Sequence, residues 1–207
     1  MCQFQYNSPM SKRMEHAEIV QEGNPVLRGK AKVVPLLEID GKQLQHIIFK
    51  MKMALEHESD GVAIAAPQIG VPLQIFVISR RAFVIVNEEK LKKEKMLVAP
   101  AVEKDLVCIN PELTKLSRKK VRVPEGCLSV RWKYGNTMRH EKATLRAYDE
   151  NGKAFTYGGS GLIAQIFQHE TDHLNGTLFV DHATDIETLT PEQIAEIGAK
   201  SKELYGK

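Results

Sequence analysis

Residues 168–176 read QHETDHLNG, with His169 and His173 four positions apart. Four residues is slightly more than one helical turn, so a helix points both imidazoles the same way, with Leu162 and Ile166 on the same face. The GGSG run at 158–161 opens this helix, and Gly176 closes it as a C-terminal cap. Upstream, LQIFVIS (73–79) and AFVIV (82–86) are rich in branched and aromatic residues and read as strands. LVCINPEL (106–113) reads as a short strand ended by Asn110-Pro111. ATLRAYD and KAFTYGG flank ENG (150–152) and form a hairpin. The charged stretch 87–104 is expected to be a surface excursion. Leu44, Ile47, Ile48, Met51 and Leu55 make one apolar stripe, which predicts a helix over 41–57 with Asp40 and Gln43 as its capping pair. Thr190-Pro191-Glu192-Gln193 starts a mixed-charge C-terminal helix that runs to Tyr205. The expected fold is α+β, with mixed or antiparallel sheets packed around the histidine helix, an N-terminal helix and a C-terminal helix.

The chain has 207 residues, enough for one domain with a substantial core. Residues 1–16 are polar and patternless and are expected to form an arm, leaving 17–207 as a single domain. A net charge of +3 gives no global case for nucleic-acid binding, and KLKKEK (90–95) and SRKK (117–120) read as solvated. Three cysteines, Cys2, Cys108 and Cys127, argue against a disulfide framework and fit a reducing compartment. The N-terminal residues lack the apolar segment of a signal peptide. The most apolar region, 61–79, is broken by Pro67, Gln68, Pro72 and Gln74, so no membrane span is expected and the location reads as cytoplasmic.

His169-Glu170-x-x-His173 is an H-E-x-x-H pattern: two imidazoles for one ion, with a carboxylate beside them to handle protons of a metal-activated water. The pattern needs a third ligand. In the extended protease form that ligand is a histidine six residues past the second, but Phe179 stands there and cannot ligate. The other protease form takes a later acid, for which Glu187 and Glu192 are candidates, with His182 a looser one. Cys127, in PEGCLSV (124–130), is the better candidate, because a thiolate with two imidazoles suits zinc or ferrous iron and leaves a position for water. Cys108 lies in an apolar strand and reads as a core residue.

GVAIAAPQIG (61–70), EGCLS (125–129) and QHETDH (168–173) together resemble the three signature motifs of the peptide deformylases, in the same order. The resemblance extends to NPVLR (24–28), INPEL (109–113) and the AYDENGK hairpin, and so covers most of residues 19–182. It implies hydrolysis of the N-formyl group from the formylmethionine of nascent polypeptides, with release of formate. It assigns Cys127, His169 and His173 as ligands of one divalent metal, ferrous iron in the cell, with zinc, nickel or cobalt as substitutes in a purified sample. It assigns Glu170 to proton transfer, and Gln68 with the backbone N–H of Leu128 to the oxyanion. Gly61, Val62, Ala63 and Ile64 would pair with the peptide backbone, with Arg139 beside it or in an ion pair, and Glu125 and Asp172 would orient the ligands. The implied partners are formyl-methionyl peptides and the ribosome, although the mixed charge of the C-terminal helix favours packing on its own domain.

Two positions depart from the family pattern. Ala63 replaces a glycine in the first motif, adding a methyl that could tighten substrate fit, and Arg131 stands where proline is common, which could alter the loop bordering the site. Two alternatives stay open: a zinc peptidase that uses a downstream acid, and a silent relative that only binds nascent chains.

Overall fold

The computed structural model describes residues 17–94 and 104–196. Its strands form two antiparallel sheets. The first has the order β1-β2-β3-β6-β7: β1 Ala63–Ala65, β2 Ile75–Ile78, β3 Leu106–Leu116, β6 Lys142–Tyr148 and β7 Ala154–Ser160. The second has the order β4-β5-β8: β4 Lys120–Cys127, β5 Val130–His140 and β8 Thr184–Thr188. Helices α1 Lys42–His57, α2 Arg80–Glu94 and α3 Leu162–Leu174 pack against these sheets.

β1 and β2 are buried on both faces, which explains why they are apolar without alternation. Ile64, Ile75, Val77, Val107 and Ile109 pack towards α1, against Leu44, Ile48, Met51 and Leu55. The alternate residues Ala63, Ala65, Phe76, Ile78 and Cys108 pack towards α3, with Ile163, Ile166 and Phe167. Gly159 lets α3 lie close, since a Cβ there would sit 2.7 Å from Ile163 Cγ2. α3 ends as expected at Gly176 (φ 77°), where Thr177 N–H reaches Asp172 O and Gly176 N–H reaches His173 O.

Several expectations need correction. Residues 82–86 are helical, within α2, despite their β-branched composition. Ser79 Oγ accepts from Arg81 N–H and Asp105 Oδ1 from Arg80 N–H, satisfying donors of the first turn. Ala82, Phe83 and Val86 then face the α3-side core and Val84 points outward, so tertiary packing overrides strand propensity. Much of the supposed excursion 87–104 is the rest of this helix, and residues 95–103 lie outside the described set. β3 does not stop at Asn110-Pro111. It continues across bulges to Leu116, with Asn110 at φ 49° and its amide bonded to both backbone groups of Val34. α1 is capped by the backbone of Gly41, with no side-chain cap from Asp40. Residues 158–160 belong to β7, so Gly161 alone precedes α3. The β4–β5 hairpin, which carries Cys127 at its turn, is not among the elements expected from the sequence.

Thr190 and Gln193 form the reciprocal bonds of a helix start, with helix at 191–196. The expected remainder to Tyr205, like the arm 1–16, lies outside the described residues. No described helix is long and apolar enough to cross a membrane.

Candidate metal centre

The β4–β5 turn delivers Cys127, and α3 delivers both histidines from one face. Cys127 Sγ lies 3.1 Å from His173 Nε2, and ligand atoms of Cys127, His169 and His173 all fall within 4.8 Å of one another. Two ligands of one tetrahedral ion are separated by roughly 3.5 Å, given metal–sulfur and metal–nitrogen bonds of about 2.3 and 2.0 Å. One thiol and two imidazoles are also a donor set that suits zinc or ferrous iron, so these residues fit a single divalent cation. This is the only such cluster among the described residues. Glu187 and Glu192 are exposed, and His182 lies 4.0 Å from Asp172. Phe179, at the extended-protease position, is buried and stacks on His169 with centroids 6.4 Å apart.

Behind His169 lies a layer of ion pairs. Arg139 donates through Nε to Glu125 Oε1 at 2.7 Å and through Nη2 to Oε2 at 2.9 Å, while its Nη1 reaches Asp172 Oδ2 at 2.6 Å. Glu125 Oε2 lies 3.2 Å from His169 Nδ1, which fixes the ring so that Nε2 faces the cation position. Arg139 is therefore committed to ion pairs and does not line the cavity. His173 Nδ1 has no such partner.

Two of the candidate ligands, Cys127 and His169, border a cavity of about 360 Å³. One wall is Gly61, Val62 and Ala63, which lead into and begin β1, an edge strand. The other wall is the hairpin from Glu125 to Tyr134, and α3 supplies Leu162, Gln165, Ile166, His169 and Glu170. Gln68 is locked by Ala65 N–H donating to its Oε1 at 2.8 Å, so its Nε2 points to Ser129 Oγ (3.2 Å) and Cys127 Sγ (3.5 Å). Leu128 stands in the turn beside the cysteine and lines the cavity. Ile64 does not line the cavity: its side chain is buried on the α1 side and its backbone pairs with Val77 of β2.

Sequence reasoning missed Ser129, which is fully buried and touches both Gln68 and, through its N–H, Cys127 Sγ at 3.4 Å. It also missed residues 20–22, where Val20 N–H bonds Gln68 O and Glu22 N–H bonds Ser129 O. These contacts are backbone-mediated and leave no side-chain signature. Leu162 and Ile166 were legible from their helical phase with the histidines.

Burial pushes the Glu170 carboxyl up to about 7; the neighbouring histidines pull it down, and Cys127 and Glu125 push it further up. For Cys127, burial opposes ionisation, but the two imidazoles prevail and bring the thiol down to about 5. For Glu125, burial is likewise outweighed by His169 and Arg139, which hold the carboxylate well below its usual range. Burial works against a charged His169, yet its bonds to Cys127 and Glu125 raise it well above the ordinary value. A dication would hold the thiol and both imidazoles in their deprotonated, ligating forms.

A family model described as Polypeptide deformylase matches residues 16–188. The Arabidopsis thaliana protein Peptide deformylase 1A, chloroplastic/mitochondrial, is 40% identical over 171 residues, covering 82% of this chain and 62% of that one. The chain thus spans about three fifths of the length of the plant relatives it matches. Peptide deformylase of Dehalococcoides mccartyi (strain CBDB1) is 36% identical over 174 residues, covering 84% of this chain and 87% of its own. Among solved structures, the Met-Ala-Ser-bound class I type b peptide deformylase from Acinetobacter baumannii has a TM-score of 0.69 at 27% identity, covering 81% of this chain and 98% of that one. With the motifs joined in one site and most of the sequence matched, the chain belongs to the polypeptide deformylase family.

Proposed function

We propose that this protein hydrolyses the N-formyl group from the formylmethionine of nascent polypeptides, releasing formate and a free amine. The observation that carries this reading is the approach of Cys127 Sγ to within 3.1 Å of His173 Nε2, across 46 positions of sequence. When bound by Cys127, His169 and His173, a divalent cation supplies Lewis acidity and a water of lowered pKa. Ferrous iron is the proposed natural ion, and the donor set also accepts zinc, nickel or cobalt.

The remaining chemistry belongs to the chain. Glu170 Oε2 is buried without a hydrogen-bond partner among the described residues, in the cavity and one residue from a proposed ligand. It takes the proton from the attacking water and passes it to the departing nitrogen, a task suited to a carboxyl with an ordinary value lifted towards neutrality. Gln68 Nε2 and Leu128 N–H donate to the oxyanion that forms at the formyl carbon, and loss of one such donor costs about 3–4 kcal/mol of barrier.

The peptide lies along the free edge of β1. Val62 O already accepts from Ser79 N–H and Ala65 N–H donates to Gln68 Oε1. Because bonded groups alternate along a strand, the N–H and C=O of Ala63 face that edge and bind the peptide backbone. The methyl of Ala63 joins the α3-side core, so this departure from the family pattern keeps the edge open. A Cβ at Gly61 would sit 2.9 Å from Leu55 Cδ1, so glycine keeps this wall thin. Met-Ala-Ser on the Acinetobacter relative is in keeping with a cleft for a peptide N-terminus. The peptidase reading lacks its acid ligand, since Glu187 stands on the exposed β8.

The test is formate release from formyl-Met-Ala-Ser by anaerobically prepared, iron-loaded protein, beside Cys127→Ala. The expected outcome is turnover by the wild type, and loss of both metal and turnover in the variant. Retention of one equivalent of metal with activity by Cys127→Ala would overturn the proposal.

A further inference from the structure

β4 and β5 pair regularly from Lys120–His140 to Gly126–Tyr134, after which Cys127 pairs with Val130. Arg131, Trp132 and Lys133 are therefore extruded as a three-residue bulge directly beside a proposed metal ligand. Bulges near active sites re-aim side chains, and all three of these line the cavity. Trp132 has φ 65°, a left-handed conformation that is costly for a bulky residue and persists only where neighbours impose it.

Three ties impose it. Leu189 N–H donates to Trp132 O at 2.8 Å, and Lys133 Nζ reaches Glu22 Oε2 at 2.6 Å. The third tie is Arg131, which forks to Asp60 Oδ2 at 2.9 Å and to Glu58 Oε2, with its guanidinium carbon 5.1 Å from the Trp132 ring centroid. Glu58 and Asp60 lie on the loop that enters β1, so Arg131 joins the two walls of the cavity while its guanidinium lies over the indole. None of the groups assigned above to metal binding, proton transfer or the oxyanion uses this bulge.

We propose that the bulge reads the peptide beyond its formylmethionine, an inference that rests on the deformylase reading above. Trp132 offers an apolar face to the second and third residues, and Arg131 is a positioning residue that holds the indole against the β1 side. A peptide paired along β1 rises about 3.3 Å per residue, so its first residues past methionine leave the cavity through the space the bulge borders. Charge sharpens the preference. One cation, Arg131, faces two carboxylates, Glu58 and Asp60, while Lys133 and Glu22 cancel, so the mouth is negative by one charge. Apolar residues are favoured there and acidic ones disfavoured.

Trp132 is the chain's only tryptophan, so its emission reports occupancy without turnover. The experiment titrates metal-loaded protein with the product peptide Met-Leu-Phe and with methionine alone. In parallel it measures KM and kcat on formyl-Met-Leu-Phe, formyl-Met-Ala-Asp and formylmethionine amide. A saturable emission change with Met-Leu-Phe but not methionine is expected, together with a lower KM for the apolar peptide than the acidic one. Trp132→Ala should reduce the preference for formyl-Met-Leu-Phe over the amide by about tenfold, through KM rather than kcat. Arg131→Lys, which keeps the charge but loses the fork, should reduce it in part. Unchanged emission at saturating peptide overturns the proposal, as does a Trp132→Ala loss shared equally by peptide and amide. Absence of formate from every substrate overturns the deformylase reading instead, and the emission titration then still decides whether peptides meet the bulge.

Discussion

Two buried glutamates neighbour His169, Glu125 in space and Glu170 in sequence, and the protein treats them differently. Glu125, 4% exposed, has both oxygens engaged by Arg139 and one also by His169, and its carboxylate is held ionised. Glu170, 3% exposed, keeps Oε2 without a partner and is pushed by burial to about 7. A buried carboxylate is costly unless paired. The ion pairs around Glu125 meet that cost with hydrogen bonds; at Glu170 it is unmet, which fits the proton transfer proposed for that carboxyl. Carboxyls driven in opposite directions by their surroundings suit different tasks, here support of the ligands at Glu125 and the proposed chemistry at Glu170.

The contrast is most directly broken at Glu170. Glu170→Gln should lower turnover by about 10²- to 10⁴-fold while metal content, read by elemental analysis, stays at one equivalent. A variant that loses its metal would move Glu170 into the support layer. The next effect is structural. Arg139→Met strands Glu125 as a buried charge, which costs about 3–5 kcal/mol in urea unfolding and weakens metal retention against chelators by about 10- to 100-fold. The exposed pair Arg146–Glu112 is the control, since surface pairs contribute about 0–1 kcal/mol. Equal losses at both sites would erase the distinction.

Acidity separates the two glutamates more gently. Glu125 titrates below its ordinary 4.5 in the folded protein, so its stabilisation is full above about pH 4.5 and is lost as pH falls. Glu170, raised from 4.5 to about 7, acts in the opposite sense: its protonated form favours the fold at low pH, and that contribution is lost as pH rises through about 7. Thermal melting of metal-free protein across this range should show both slopes. Glu125→Gln should flatten the acid side and Glu170→Gln the neutral side. The smallest expected change is Ser129→Ala, which removes one acceptor of the Gln68 amide and should cost about 0.5–1.5 kcal/mol, read as a modest drop in kcat/KM with metal content intact.

Local pattern carried much of this into the sequence. The α1 stripe and the α3 histidine phase are periodic over more than three turns, and such helices survive whatever packs against them. The 82–86 segment was misread because β-branched residues favour strands locally, while the Ser79 and Asp105 caps and a half-buried location favour a helix. β3 passed through Pro111 because a bulge removes the need for a ladder donor there. The β4–β5 hairpin was hidden because the alternation in β4 is only Val121 and Val123, both half-buried among polar neighbours, too short to stand out as a core-facing strand.

The sequence by itself determined which groups can ligate, which carboxylate stands beside them, and that α3 presents both imidazoles together, since these follow from residue type and the pitch of one helix. Only the tertiary structure decided that Cys127 meets the histidines, that Arg139 serves Glu125 and Asp172 rather than lining the cavity, and that Arg131–Lys133 bulge into its wall. Those outcomes depend on strand register and on charges distant in sequence, and contacts of that kind exist only once the two sheets close around α3.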